Sequence, residues 1–173
     1  MSVRFGEEVQ EMSRRLTFTA DLPGWPALRD AVEQLTESTE RRWGKMTSAQ
    51  MLRHTNGFCA LYLGELEVSP FVRFVARLLG KRFLRRVAAK SPMETPRNMR
   101  TLPALHQTEA PDFGAEKRAL LAHFDRWEAL EFAGGAWNHP MYGEMAVGDC
   151  AGLVRHHTAH HLNQFGVLSH PQS

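Results

Sequence analysis

Four of the chain's nine histidines fall within six positions, where they form two overlapping His-x-x-x-His pairs. One pair is His156 with His160, and the other is His157 with His161. Residues four apart on an α-helix lie about 6 Å apart on nearly the same face, so two imidazole rings can reach one metal ion. The spacing therefore predicts a metal-binding helix, although histidine pairs on helices are more often hydrogen-bonded core pairs or solvated surface pairs.

The apolar residues around this cluster indicate which pair faces the interior of the protein. Taken with His157 and His161, they recur at steps of three and four positions, and they are Val147, Cys150, Val154, Phe165 and Leu168. His157 and His161 continue this stripe, whereas His156 and His160 lie roughly 100° away around the helix. We therefore expect His157 and His161 to point inward, and His156 and His160 to lie at the surface or at the rim of a site.

A third ligand is expected from a different helix. His54 falls inside a helical segment that Thr47 or Ser48 caps, and it shares an apolar stripe with Met51 and Phe58. Three neutral imidazoles around one divalent ion, with positions left open for water or substrate, form a metal site of the catalytic kind. Zinc, nickel, iron and manganese all accept imidazole, so the ligand type does not choose among them.

Other polar residues could surround such a site. Gln164, one turn after His161, could hydrogen-bond to a ligand, and Asn56 is a weaker candidate for that role. The residues that could reach the mouth of a pocket are His139, Tyr142 and His160. The histidines expected at the surface or periphery are His106, His123 and His170. No residue stands out as a general base.

The composition is that of one ordinary soluble domain, with 43% hydrophobic and 23% charged residues in 173. A net charge of +2 is too small to argue for nucleic acid. No apolar run approaches the roughly 20 residues of a membrane span, and the N-terminus lacks the apolar core of a secretory signal. The two cysteines do not make a disulfide framework, which fits a reducing cytoplasm.

Helical periodicity dominates the rest of the chain, and strand signals are sparse. The amphipathic segments cover about residues 21–40, 47–64, 70–89, 115–130 and 149–168. A proline-interrupted connection spans 91–113, and the glycines and turn residues of 134–143 predict a loop. We expect an N-terminal extension (1–20), one domain (21–168) and a C-terminal tail (169–173). The predicted fold is all-α, an antiparallel four-helix bundle with a long crossover loop and an extra amphipathic helix.

That extra helix, residues 70–89, carries basic residues every four positions, namely Arg73, Arg77, Lys81 and Arg85. The opposite side is apolar, with Phe74, Val75, Leu78 and Leu79. A basic amphipathic helix can bind an anionic membrane or another polyanion. More often it packs in the fold and leaves its basic face in solvent. The pattern favours that second interpretation, and Gly80 in mid-helix also argues against a strong membrane-binding element.

Two stretches of the chain resemble the DinB-like superfamily of metal-binding four-helix bundles. The first, residues 43–54, reads Trp-Gly-Lys-Met-Thr-Ser-Ala-Gln-Met-Leu-Arg-His and looks like the opening of that superfamily's second helix. The second, residues 157–164, is similar to its last-helix motif, in which His-x-x-x-His is followed by two residues and Gln. Aligning on Gln164 selects His157 and His161. Residues 139–145 are similar to a bacterial branch of unknown function, and the resemblance covers roughly 14–168.

The resemblance implies that His54, His157 and His161 hold a divalent metal ion, zinc or nickel before iron or manganese, often in a homodimer. Characterised members include S-transferases that use low-molecular-weight thiols and a maleylpyruvate isomerase. It therefore implies a metal-dependent thiol S-transferase or hydrolase-type enzyme with a small thiol as substrate. Many relatives have Arg-Gly where this chain has Leu162-Asn163. That departure leaves the ligands intact but changes the packing around them. The 70–89 segment looks like an insertion.

Two other functions fit the same residues. The first is a non-catalytic stress-response or binding module that keeps its metal for stability or sensing and uses the basic helix as a partner surface. The second is a metal-free bundle with a hydrogen-bonded histidine cluster. Solvent access separates an enzyme from a structural site. An enzyme needs a pocket that reaches the metal, whereas a structural site is closed by a fourth protein ligand.

Overall fold

The computed structural model describes residues 15–99, 102, 105 and 110–168. Within them the chain forms five α-helices, a short 3-10 helix and a two-stranded sheet. The helices are α1 (Trp25–Gln34), α2 (Ser48–Leu63), α3 (Pro70–Ala88), α4 (Phe113–Ala133) and α5 (Val147–Gln164). The strands are β1 (Ala136–His139) and β2 (Gly143–Ala146), and the 3-10 helix is Pro92–Glu94. His106, His170 and the predicted C-terminal tail lie outside the described residues.

The prediction of an antiparallel four-helix bundle is wrong, because the described chain has five helices and an antiparallel sheet. β1 pairs with β2 from Ala136 opposite Ala146 to His139 opposite Gly143, where a loop was expected. Each strand has only four residues, too few to establish the alternation that marks a strand in sequence. Gly143, with φ of +74°, supports the reversal of the chain between them. The chain is mainly helical, with this hairpin between α4 and α5.

The larger of two hydrophobic clusters in the described residues lies mainly between α1, α2, α4 and α5. From α4, Leu120, Phe124 and Trp127 are fully buried, as their helical spacing predicts. The start of α2 is fixed by a reciprocal pair of bonds between Thr47 and Gln50. Because α2 and α5 pack against the same core, the side chains that they turn toward each other are held on rigid elements.

The described part of the predicted N-terminal extension packs against α5. The Leu16 amide donates a hydrogen bond of 3.1 Å to the Asp149 carboxylate in the first turn of α5. The Phe18 ring lies over Gly152, so closely that a methyl group on Gly152 would collide with it. These contacts fix the N-terminal half of the helix that carries the histidine cluster.

The third helix, α3, packs in the fold and keeps its basic residues in solvent, as the sequence favoured, but it does not pack through its larger apolar side chains. Its buried side consists of Ala76, Gly80, Leu84 and Ala88, and most of its larger apolar side chains are exposed. Gly80 is needed for this approach, because a Cβ there would lie 2.5 Å from the ring of Tyr142. Amphipathic periodicity identifies the apolar side of a helix but not whether that side has a partner. No helix in the described part of the chain combines the length and apolarity needed to cross a membrane.

Candidate metal centre

Three histidines from two helices meet between α2 and α5. His54 comes from α2, and His157 and His161 come from successive turns of α5. Their ring centroids are 4.6–5.0 Å apart, and one nitrogen from each ring lies within 4.8 Å of the others. These are the three residues that helical periodicity predicted to face the core. Their nitrogens are close enough to hold a single metal ion.

The outer nitrogen of His54 fixes the proton on that ring. His54 Nδ1 lies 3.0 Å from the carbonyl oxygen of Leu105, which can only accept a hydrogen bond. The Nδ1 atom therefore carries the hydrogen, and Nε2 presents its lone pair to the cluster. A ligand histidine oriented by a carbonyl on its other nitrogen is the arrangement typical of protein metal sites.

Gln164 fixes the proton on His161 in the same way. The Gln164 amide nitrogen donates to the carbonyl of Trp43 at 2.9 Å, so its oxygen is the atom 2.8 Å from His161 Nδ1. His161 therefore donates from Nδ1 and presents the Nε2 lone pair inward. Gly44, with φ of +81°, lies so close to the Gln164 amide that a Cβ at that position would collide with it.

His157 completes the group and is held by packing. Its ring stacks on Phe58 with centroids 3.8 Å apart and planes within 3°. Its Nε2 lies 3.2 Å from Nε2 of His54, while its buried Nδ1 has no partner among the described residues. Two nitrogens bound to one tetrahedral ion at about 2.0–2.1 Å are about 3.3 Å apart. The separation of His54 and His157 fits a shared ion.

The environment keeps the three rings neutral at neutral pH. Burial lowers the pKa of His54, and it lowers the pKa of His161 to about 3. Burial, followed by the neighbouring histidines, lowers the pKa of His157 well below its usual value. An imidazole must be deprotonated on the nitrogen that binds a metal. A cluster that disfavours protons in this way is suited to a cation held by lone pairs.

All three histidines line a cavity of about 950 Å³. Most of its walls are apolar, with contributions from Phe58, Leu61, Phe83, Leu84, Val87, Met99, Leu102, Leu105, Met141 and Leu153. Among the described residues, no fourth histidine, cysteine or carboxylate joins the group. The arrangement therefore leaves room beside the three nitrogens for a water molecule or a substrate.

The sequence was partly misleading about the histidines beside the cluster. His156, expected at the surface or rim, is buried and hydrogen-bonds through Nε2 to the carbonyl of Lys90 at 3.1 Å. His160 donates from Nδ1 to the carbonyl of Pro92 at 3.2 Å and lines the cavity. The irregular segment after α3 covers this side of α5, and helical periodicity could not reveal that covering segment.

Of the residues expected near the mouth, Tyr142 lines the cavity, and burial raises its pKa to about 12. His139 is buried at the end of β1 and is not among the described residues that line the cavity. Asn56 donates to the backbone carbonyl of Glu116 and accepts a hydrogen bond from half-buried His123. Asn56 and His123 therefore belong to a separate network between α2 and α4.

His139 shapes the hairpin turn and should make stability depend on pH. Its Nδ1 accepts hydrogen bonds from the backbone amides of Met141 and Tyr142, and burial lowers its pKa to about 4. Because this folded-state pKa lies below the usual value of about 6.5, protons favour the unfolded chain as pH falls between the two values. Protonation of His139 should therefore lower the free energy of unfolding by on the order of 3 kcal/mol across this pH range. The His139→Asn variant keeps an acceptor but has no group that titrates there, so it should not show this part of the decrease. Urea unfolding of both proteins across that range tests the expectation, and a constant difference between them contradicts it.

Gln164 allows a test of the cluster that spares all three rings. Replacing it by methionine removes the acceptor for His161 Nδ1 and leaves the carbonyl of Trp43 without its donor. Loss of such an orienting group costs about 10–100-fold in metal affinity. Competition with a chromophoric chelator measures that loss, and Asn163→Ala on the same turn should leave the affinity unchanged. Equal affinities for Gln164→Met and the wild type would contradict the role of Gln164.

Residues that sequence reasoning missed lie outside the regular helical stripes. The carbonyl of Leu105 comes from the connection between α3 and α4, and the carbonyl of Trp43 comes from the turn before α2. A backbone acceptor carries no signal in the side-chain pattern. The sequence did place Phe58 near the cluster, because Phe58 lies four residues after His54 on the same helix face. In the structure its ring stacks on His157.

Comparisons with known proteins identify a family for the chain but do not indicate an activity. No curated protein and no solved structure gives a significant match to the chain. A family model described as "Protein of unknown function (DUF1569)" matches residues 11–167. The matched range contains the three histidines, Gln164, the hairpin and the residues that line the cavity. The relationship to the DinB-like superfamily stays a prediction. The chain belongs to the DUF1569 family.

Proposed function

We propose that the chain is a metal-dependent enzyme whose His54, His157 and His161 bind a divalent ion at the wall of its substrate cavity. The observation that carries this proposal is the convergence of three neutral rings beside an open cavity of about 950 Å³. A closed structural site would use a fourth protein ligand and need no cavity. The resemblance to the DinB-like superfamily favours zinc or nickel, and the three-imidazole ligand set also accepts iron or manganese.

The reaction that we propose is the transfer of a small thiol to an electrophile, with hydrolysis by the same type of site as the second candidate. A divalent ion in this position would lower the pKa of a thiol or water and so supply a nucleophile at neutral pH. In thiol transfer a carbon–sulfur bond replaces the bond to the leaving group, and the thiol proton passes to a base. The preference for thiols rests on the resemblance to the DinB-like superfamily.

Two residues of the cavity wall are suited to handling that proton. His160 donates from Nδ1 to the Pro92 carbonyl, so its Nε2 keeps a lone pair that can accept a proton. Tyr142 remains protonated at neutral pH because burial raises its pKa to about 12. It can therefore donate a hydrogen bond to substrate but does not act as a base. We assign proton acceptance to His160 and hydrogen-bond donation to Tyr142.

The cavity also limits the chemistry of the electrophile. Its lining is mainly aliphatic and aromatic, and Lys45 is the one lysine or arginine among the described lining residues. A multiply charged substrate would lose hydration there without gaining partners. We therefore propose a small, largely apolar and uncharged electrophile, whose body fills the apolar part of the cavity while its reactive atom approaches the histidines.

Metal analysis and a cobalt(II) spectrum test this function together. Protein purified without a His-tag should contain a divalent ion, and the cobalt(II)-exchanged form should change its visible absorption when 2-mercaptoethanol is added. His160→Gln should retain the ion, because His160 is not one of the three ligands. A spectrum that no thiol alters, in protein with full metal loading, would favour the non-catalytic module instead. Absence of metal would favour the hydrogen-bonded cluster.

Three further properties belong to this proposal and have their own tests. Membership of the DinB-like superfamily rests on the two sequence motifs, and superposition of the helices on solved members of that superfamily tests it. A homodimer is expected from the same resemblance, and sedimentation equilibrium measures it. A cytoplasmic location is supported by Cys59 and Cys150, which are both buried free thiols. Fractionation of the host cell tests that location.

A further inference from the structure

The outward side of α3 is an apolar surface with basic residues around it. Phe71, Phe74, Val75, Leu78 and Leu79 follow the i, i+3, i+4, i+7, i+8 spacing of one helix face. All five are exposed, with Phe71 at 75%, Phe74 at 67% and Leu78 at 70%. Large apolar side chains grouped in this way on a surface mark an interaction site rather than scattered exposure.

The charges on α3 have a single sign. The helix carries six basic residues and no acidic residue, and the basic residues are Arg73, Arg77, Lys81, Arg82, Arg85 and Arg86. All six are exposed, and none forms an ion pair with another residue in the described part of the chain. The net charge of the whole chain is only +2, so this helix concentrates positive charge that the rest of the protein offsets.

The two kinds of residue share one face. The stripe that begins at Phe71 continues through Arg82, Arg85 and Arg86, because these lie 11, 14 and 15 positions further along the helix. The first half of the face is therefore apolar and the second half is basic. Arginine stems are themselves apolar, so arginines can lie along an apolar surface while their guanidinium groups reach phosphates.

We propose that α3 docks the protein on an anionic lipid bilayer, with the apolar half in the interface and the arginines on the lipid phosphates. Amphipathic helices with four to eight basic residues bind anionic membranes in this way. A nucleic acid would engage the arginines but leave Phe71, Phe74 and Leu78 in water. A second copy of the chain, paired through the same face, would bring six positive charges against six.

The fold supports docking by a helix that does not cross the bilayer. Ala76, Gly80, Leu84 and Ala88 hold α3 close to the body, so the helix can lie along a surface without leaving its position. The same helix also supplies Phe83, Leu84 and Val87 to the wall of the cavity. Docking would therefore bring the bilayer to the outer side of a helix that borders the candidate site.

Vesicle sedimentation of the full chain tests the proposal. We expect binding to vesicles of phosphatidylcholine with phosphatidylserine, little binding to phosphatidylcholine alone, and weaker binding as NaCl concentration rises. The variant R82Q/R85Q/R86Q should bind about 100-fold more weakly, since each basic residue contributes about fivefold. The variant F74S/L78S should lose at least about tenfold.

Matched controls use exposed residues on α4. Phe132 is 94% exposed, so F132S should bind as the wild type does, and R118Q should differ little from wild type while R85Q loses about fivefold. All variants should keep the thermal unfolding curve of the wild type, because the replaced side chains are exposed.

Three results would overturn the proposal. The first is equal binding to vesicles with and without phosphatidylserine. The second is wild-type vesicle binding by F74S/L78S, which would leave a general polyanion site, to be checked with duplex DNA. The third is a wild-type dimer that F74S/L78S dissociates, with no vesicle binding by either protein, which would assign the face to a second copy of the chain.

Discussion

Replacing His157 by alanine should abolish stoichiometric metal binding while the fold is kept. His157 contacts both of the other rings, with its Nε2 3.2 Å from that of His54 and its ring centroid 4.6 Å from that of His161. Two imidazoles alone leave a divalent ion with too few protein ligands for a stable site. Elemental analysis of tag-free protein after dialysis measures the loss. Thermal unfolding gives a second readout, because an ion present at 1,000 times its Kd stabilises the folded state by about 4 kcal/mol.

The control for this substitution is His123→Ala. His123 is also half-buried and also hydrogen-bonded, but to Asn56 between α2 and α4. The His123→Ala protein should retain the ion and the metal-dependent rise in Tm. Full metal occupancy in the His157→Ala protein would remove the three-histidine assignment, and equal metal loss in both variants would point to a general effect of histidine removal.

Replacing Phe124 by alanine should lower the free energy of unfolding by about 3–5 kcal/mol. The ring is fully buried in α4 and packs against Trp25 of α1 with centroids 5.5 Å apart. Removing it leaves a cavity between two helices that the rest of the core can fill only in part. Total stabilities of about 5–15 kcal/mol make such a loss a large fraction of the whole. The midpoint of urea unfolding, at unchanged slope, measures it.

The same helix provides the matched substitution. Phe132 lies near the end of α4 and is 94% exposed, so Phe132→Ala removes an identical group from solvent instead of from the core. It should change the free energy of unfolding by less than about 0.5 kcal/mol. Similar losses for the two variants would mean that Phe124 is not the core residue described here.

Helical periodicity was sufficient to find the residues that the structure brings together. His157 and His161 were selected because they continue an apolar stripe, and His54 because it lies between Met51 and Phe58 on another. A side chain's direction on a helix follows from its position along the 3.6-residue period, whatever the helix packs against. The same rule places Leu120, Phe124 and Trp127 on one side of α4, and all three are fully buried.

The features that the sequence did not predict depend on contacts between distant segments. The two strands of the hairpin have four residues each, too few to show the apolar–polar alternation that predicts a strand. Because the hairpin was not predicted, the four-helix bundle prediction was wrong. The burial of His156 depends on the segment around Lys90 that crosses α5. For α3 the periodicity gave the apolar side correctly but gave no information on whether another element covers it.

The contact between Gly44 and Gln164 should be visible in the evolution of the family. Gly44 adopts a positive φ and leaves no space for a Cβ against the Gln164 amide, which in turn orients His161. The two positions are 120 residues apart in sequence, yet position 44 cannot gain a side chain while Gln164 keeps its place. We expect them to covary, so that homologues without glycine at position 44 also lack glutamine at position 164. Such homologues would need another acceptor for His161 Nδ1, or would have lost the site.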